Sequence, residues 1–192
     1  MNKAIFLDRD GTLNEEVDYL TKVQDLKIID GVKEALENFK RLGFLNIIIT
    51  NQAGIARGYL TEDDLEIIHD ELKASLTVNG MNLIDDIFYS PFHTDGIIHK
   101  FKTDSEDRKP NTGMIRKAIS KHNISPQESF LIGDSFTDMQ CAVNAGLKKI
   151  LVKTGYGKRD EVTCIKENLH PEYIAKDLLD ASKYIGLLEL NN

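Results

Sequence analysis

Ala4-Ile5-Phe6-Leu7-Asp8-Arg9-Asp10-Gly11-Thr12 is the stretch on which the fold turns. Four consecutive apolar residues without polar alternation predict a strand buried on both faces, as in a parallel sheet covered by helices. The run stops abruptly at two carboxylates with a glycine behind them. Outward from it, similar runs recur at Leu45–Ile49, Ile87–Tyr89, Phe130–Ile132 and Ile150–Val152, each ending in polar residues or glycine. Between them lie stripes at helical spacing: Val32, Ala35, Leu36 and Phe39; Leu65, Ile68, Leu72 and Leu76; Ile115, Ala118 and Ile119; Met139, Ala142 and Val143. A last stripe, Leu178, Ala181, Ile185 and Leu188, closes the chain. Alternating strands and helices predict an α/β architecture, a Rossmann-like parallel sheet flanked by helices.

Two stretches break the alternation. Residues 14–30 read as polar and hairpin-like, and residues 91–110 as an irregular insertion. Each follows the C-terminal end of a predicted strand, the edge at which open parallel sheets bind ligands. The insertion is too short for a full cap domain. Nothing marks a linker or a repeat, so residues 1–192 read as a single domain.

With 192 residues, 41% hydrophobic and 29% charged, the chain is expected to fold around a sizeable core. Its formal charge of −7 and lack of a basic block argue against nucleic acid or an anionic membrane as partner. Small phosphorylated substrates stay open, because an acidic protein can still hold an anion locally. No stretch reads as a signal peptide or membrane span, and Cys141 and Cys164 cannot build a disulfide framework. A cytoplasmic location is expected.

Asp8 and Asp10 sit two residues apart at a strand end, where both can face one cleft. One can serve as nucleophile and the other as general acid and base. The plain alternative is a turn, which Asp and Gly also favour. Asp134, after the fourth run, reads alone as a helix cap and together with Asp8 as a Mg²⁺ ligand. Asp138, inside the following helix, suits a supporting hydrogen bond. Thr50-Asn51-Gln52 ends the second run with groups that hold phosphate oxygens. Arg108 and Lys109 precede Pro110, and Lys109 suits neutralisation of phosphate charge.

The ordered set Asp8-x-Asp10-Gly11-Thr12, Thr50-Asn51, Lys109 and Gly133-Asp134-x₃-Asp138 resembles the four motifs of the haloacid dehalogenase superfamily, phosphatase branch. The resemblance implies Asp8 as the nucleophile that becomes an aspartyl-phosphate, and Asp10 as acid and then base. Thr50 and Lys109 complete the catalytic set. Mg²⁺ would be held by the Asp8 carboxylate, the Asp10 backbone carbonyl and Asp134.

A narrower likeness joins Asp8 to Asn14, Thr50 to Gly58 and Arg108-Lys109-Pro110. It is similar to the D-glycero-D-manno-heptose 1,7-bisphosphate 7-phosphatases, relatives of histidinol-phosphatase. The Ile55-Ala56-Arg57-Gly58 run favours the heptose enzymes. That likeness implies substrate contacts from Glu16, Val17, Asp18 and Tyr19, from Asn51, Gln52 and Ala53, and from Arg57 and Arg108. The implied substrate is a small sugar bisphosphate, on the route to the heptose of bacterial surface polysaccharide. Histidinol phosphate is the alternative, and a monomer the default.

There are two departures. Asp18 stands where the family usually has glycine. The family's usual zinc ligands, Cys-x-His and Cys-x-Cys, are replaced by Ser90, Phe92, Ser105 and Asp107. These cannot act as thiolate or imidazole ligands, so no zinc is expected, and Phe92 suggests apolar packing in its place. His93, His99 and Asp104 are the only substitute ligands nearby, and solvent-facing loop residues are the plainer reading of them.

Overall fold

The computed structural model describes residues 1–190 of the chain. Its main sheet has six strands: β1 (Lys3–Leu7), β2 (Phe44–Asn51), β5 (Asp86–Ser90), β6 (Phe130–Gly133), β7 (Lys148–Val152) and β8 (Tyr173–Ala175). Their order is β5-β2-β1-β6-β7-β8, and every pairing is parallel. A separate two-stranded hairpin, β3 (Thr77–Val78) with β4 (Met81–Asn82), stands outside this sheet. The helices are α1 (Val32–Arg41), α2 (Ala53–Ala56), α3 (Glu62–Ser75), α4 (Gly113–His122), α5 (Phe136–Ala145), α6 (Gly157–Lys166) and α7 (Leu178–Leu190).

The central strand is as buried as its composition requires: Ala4, Ile5, Phe6 and Leu7 expose nothing. Successive side chains point to opposite faces. Ile5 and Leu7 join Leu36, Phe39, Ile48, Ile132 and Ile185 on one side. Ala4 and Phe6 join Ile47, Ile49, Met114, Leu131 and Met139 on the other. The absence of alternation in the sequence is therefore the mark of two cores sharing one strand. A third, smaller apolar cluster lies beyond the sheet edge, where Ile55, Leu60, Leu65 and Ile68 meet Leu20 and Phe101.

Two differences from the sequence expectations have physical causes. Val143 is 53% exposed, so the buried face of α5 is carried by Asp138, Met139, Cys141 and Ala142. Val143 falls outside the arc these residues share, and the Asp138 carboxylate, capped by Ser135, fills part of that arc. The elements β3, β4, α6 and β8 went unread because they are short or polar. Strand β8 has three residues, two of them only half-buried at the sheet edge.

The 14–30 stretch is hairpin-like only at its base. There Glu15 N–H donates to Lys27 O at 2.8 Å and Ile29 N–H to Leu13 O at 3.0 Å. The insertion is irregular apart from one 3-10 turn, His99–Phe101.

Candidate active site

Parallel register fixes where the site forms. Leu7 lies beside Ile48 of β2 and Ile132 of β6, so the residues that follow these strands emerge along one edge. Asp8 N–H still donates to Ile132 O at 3.0 Å, which ties the first carboxylate to the sheet. The edge borders a cleft of about 430 Å³, into which Asp8, Asp10, Thr50, Asn51, Lys109 and Asp134 converge. Glu16, Asp18 and Arg108 line it too. Val17, Tyr19, Gln52, Ala53, Arg57 and Asp138 are not among its lining residues.

Lys109 is the hub. Its ammonium sits 2.9 Å from Asp8 Oδ1 and 2.7 Å from Asp138 Oδ1, and it donates to the Ile49 carbonyl at 3.0 Å. Only 3% of the residue is exposed. Burial alone would depress its pKa, but Asp138 and Asp8 outweigh burial and lift it above the ordinary lysine value. Asp138 is oriented by its own helix: it accepts from the Ser135 amide and hydroxyl in a capping box at the start of α5. The Asn51 side chain meets the Lys109 backbone. Asn51 Nδ2 donates to Lys109 O at 3.1 Å, and Lys109 N–H donates to Asn51 Oδ1 at 3.0 Å. The Asn51 side-chain amide thus holds the Lys109 backbone while the residue still lines the cleft.

Oxygens of Asp8, Asp134 and Asp138 all lie within 4.8 Å of one another. Burial, then repulsion among these groups, pushes Asp8 up to about 7 and Asp134 up to about 8. One ammonium pairs with two of these three carboxylates and leaves Asp134 without a paired cation among the described residues, so the cluster is short of positive charge, and a hard divalent cation with oxygen ligands would relieve it. The backbone around Asp134 is also shaped for it. A Cβ at Gly11, which adopts φ +74°, or at Gly155 would collide with the Asp134 carboxylate. Asp134 Oδ2 accepts from the Tyr156 amide at 2.7 Å. The donor set fits Mg²⁺.

Asp10 is held apart from that cluster. Arg9 Nε and NH2 grip its two oxygens at 2.8–3.2 Å, Asn14 Nδ2 donates at 2.9 Å and Gln52 Nε2 at 3.1 Å. Burial would raise the Asp10 pKa, but Arg9 and these amides reverse the sign and hold it below the usual carboxylate range. Gln52 also donates to Thr50 Oγ1 at 2.8 Å, so its amide is internal. Neighbouring carboxylates with opposite displacements are the arrangement expected of groups with different catalytic tasks.

The cleft wall carries one arginine, with a second near it. Arg108 NH1 donates to Phe92 O at 3.2 Å, and burial, then Arg57, lowers its pKa. The Arg57 guanidinium lies 5.9 Å from the Tyr19 ring centre and 3.5 Å from His93 Nε2. Asp18 adopts φ +52°, the left-handed region that glycine enters freely, and its Oδ1 accepts from Tyr156 OH at 3.2 Å. Ser135 and Thr137 line the cleft although the sequence did not single them out, and Tyr156 lines it too. Gly155-Tyr156-Gly157 after β7 was the available signal, since β7 ends on the same sheet edge.

Ser90 at the end of β5 is fully buried, and in the insertion Phe92 packs edge-on against Phe101, ring centres 6.0 Å apart. Asp107 pairs with Lys117 at 2.6 Å, and His93 Nδ1 accepts from the Asp95 amide. Among the described residues, Asp8, Asp134 and Asp138 form the one cluster of three such ligand groups.

Comparison with known proteins then decides the family. The chain is 42% identical over 156 residues to the D-glycero-beta-D-manno-heptose-1,7-bisphosphate 7-phosphatase of Haemophilus influenzae, spanning 81% of this chain and 84% of the relative. It belongs to the heptose-1,7-bisphosphate 7-phosphatase family. The D-glycero-alpha-D-manno-heptose-1,7-bisphosphate 7-phosphatase of Photorhabdus laumondii is almost as similar, 41% identical over 80% of this chain and 84% of its own. Residues 107–181 match the HAD-hydrolase-like family, a span that holds Lys109, Asp134, Asp138 and Tyr156.

The D,D-heptose 1,7-bisphosphate phosphatase of B. bronchiseptica, solved with magnesium and phosphate, superposes with a TM-score of 0.84. It is 28% identical, and the match covers 97% of this chain and 99% of that one. Among the described residues of this family member, no helix is long and apolar enough to cross a membrane.

Proposed function

We propose that this chain hydrolyses the 7-phosphate of D-glycero-D-manno-heptose 1,7-bisphosphate. The observation that carries the mechanism is Lys109 lying between Asp8 and Asp138, with Asp134 beside them at the sheet edge. Asp8 Oδ1 is engaged by Lys109 and by the Arg9 amide at 2.7 Å, which leaves Oδ2 to attack phosphorus. The ester bond breaks as the aspartyl-phosphate forms, and Asp10 gives its proton to the departing sugar oxygen. Asp10 then takes a proton from water as that water attacks phosphorus, releasing phosphate and freeing Asp8.

Arg9 favours the Asp10 anion, the form the second step needs. Substrate phosphate, bringing negative charge alongside, favours the acid for the first. Lys109 neutralises charge on the transferring phosphoryl group. Asp8, Asp134 and the Asp10 carbonyl would hold Mg²⁺, which supplies Lewis-acid stabilisation of phosphoryl oxygens.

Arg108, with Arg57 behind it, suits the distal phosphate, because planar guanidinium groups grip phosphate oxygens in pairs. Glu16 and Asp18 accept from sugar hydroxyls on the opposite wall. The same reading makes residues 1–192 one domain of a cytoplasmic monomer without zinc, serving the heptose of bacterial surface polysaccharide.

The test is phosphate release with Mg²⁺ from the α and β anomers, beside histidinol phosphate. Preferred loss of the 7-phosphate from one anomer, abolished by EDTA and by Asp8→Asn, supports the reading and assigns the anomer. Activity confined to histidinol phosphate would keep the mechanism and overturn the substrate.

A further inference from the structure

Arg9 is the largest fully buried side chain of the molecule, and nothing in the phosphoryl-transfer scheme above explains how it is kept in place. A guanidinium has five N–H donors and no acceptor. Nε and NH2 of Arg9 are turned to Asp10, and NH1 lies 3.2 Å from Nε2 of His69. Because arginine can only donate, His69 Nε2 must be the acceptor. The imidazole is then neutral, with its proton on Nδ1.

His69 reaches this point for a reason legible in α3. It lies one helical turn after Leu65 and beside Ile68 on the buried face, and only 6% of it is exposed. A capping box between Thr61 and Asp64 anchors the start of the helix. The Tyr89 ring meets the imidazole edge-on with centres 6.0 Å apart. His69 also borders a cavity of about 290 Å³ whose charged lining is Glu62, Asp63, Glu66, Asp70 and Lys73. Burial, then Arg9, pushes the imidazole pKa down to about 3, so it stays an acceptor through the working range.

We infer that His69 is a positioning residue for Asp10, acting through Arg9. By taking the NH1 hydrogen bond it fixes the guanidinium plane, and that plane fixes both oxygens of Asp10. Without the acceptor, Arg9 keeps a buried unpaired donor and is free to turn toward another partner, carrying Asp10 away from the line of proton transfer. A misplaced acid and base slows the chemical step and leaves substrate binding alone. The inference rests on the role given to Asp10 above.

The experiment compares wild type, His69→Leu and His69→Gln on the heptose bisphosphate and on p-nitrophenyl phosphate, with Mg²⁺ titrated for each. His69→Leu is expected to lower kcat about tenfold, with KM and the Mg²⁺ half-saturation within about twofold. His69→Gln, whose Oε1 can accept from Arg9, is expected to recover to within about threefold of wild type. Full activity in the leucine variant, equal losses in both variants, or a loss confined to KM would each overturn the inference.

¹⁵N NMR of wild-type imidazoles gives a second reading that needs no variant to fold and no substrate to be right. His69 must show unprotonated Nε2 and protonated Nδ1 at neutral pH, and the opposite tautomer overturns the proposal. If wild type hydrolyses neither ester, it is the phosphatase reading that has failed, and the tautomer still decides whether His69 holds Arg9.

Discussion

The sheet edge and the 91–110 insertion solve the same problem, holding a polar loop in place, by opposite means. At the edge, Asp8, Lys109, Asp134 and Asp138 are nearly all buried and hold one another by charge. In the insertion, Phe92 packs on Phe101, and the charged groups around it are mostly exposed. Charges in a low-dielectric setting are strongly coupled, so the loss of one is felt by all. An aromatic contact is local, and its loss is confined to the apolar area it covered.

The sharpest way to break this contrast is at the edge. Asp8→Asn is expected to lower turnover by about 10⁴-fold or more while the protein stays folded, since it removes the nucleophile and one of three crowded carboxylates. Residual turnover above about a hundredth of wild type would displace Asp8 from its role.

Lys109→Met should fail in two ways at once. Phosphate charge loses its partner, with turnover falling about 10³-fold, and Asp8 and Asp138 are left buried without their cation, at a cost of about 3–5 kcal/mol. Denaturant unfolding at neutral pH reads the second effect. A variant as stable as wild type would mean that the ammonium does not bind these carboxylates together.

In the insertion, Phe92→Ala should cost about 2–4 kcal/mol and leave kcat within about threefold, because the ring touches no reacting group. KM for the sugar bisphosphate should rise, since the Phe92 carbonyl anchors Arg108. A collapse of kcat with unchanged KM would show the insertion to be coupled to the edge after all.

The smallest effect concerns acid stability. His69 has a folded pKa of about 3 against an ordinary value near 6.5. Above pH 6.5 both states are neutral and its contribution is complete. As pH falls from 6.5 toward 3, the unfolded chain gains a proton that the folded chain refuses. Stability is lost over that window by up to about 1.4 kcal/mol per pH unit. His69→Gln should flatten this limb in urea unfolding between pH 7 and 5, and identical slopes in the two proteins would contradict it.

Much of this was legible before any coordinates. Ala4–Leu7 has one solution, a strand between two cores, because four adjacent apolar side chains cannot all face one side. The polar residues at the ends of β1, β2 and β6 then had to meet, since parallel strands end on one edge. Residue order therefore put Asp8, Thr50 and Asp134 on one edge, and the resemblance to the family's motifs added Lys109; the strand order that makes them neighbours comes from the fold.

Only the tertiary structure decided which groups the polar residues would touch. Asn51 and Gln52 turned inward to Lys109 and Asp10, and Asp138 took a core position on α5. Tyr156 entered the cleft from a stretch with little local pattern, and His69 met Arg9 across 60 residues. Periodicity reports which face of an element is buried. It is silent on hydrogen-bond partners, because those depend on side chains that distant segments bring within 3 Å, and no local pattern encodes that distance.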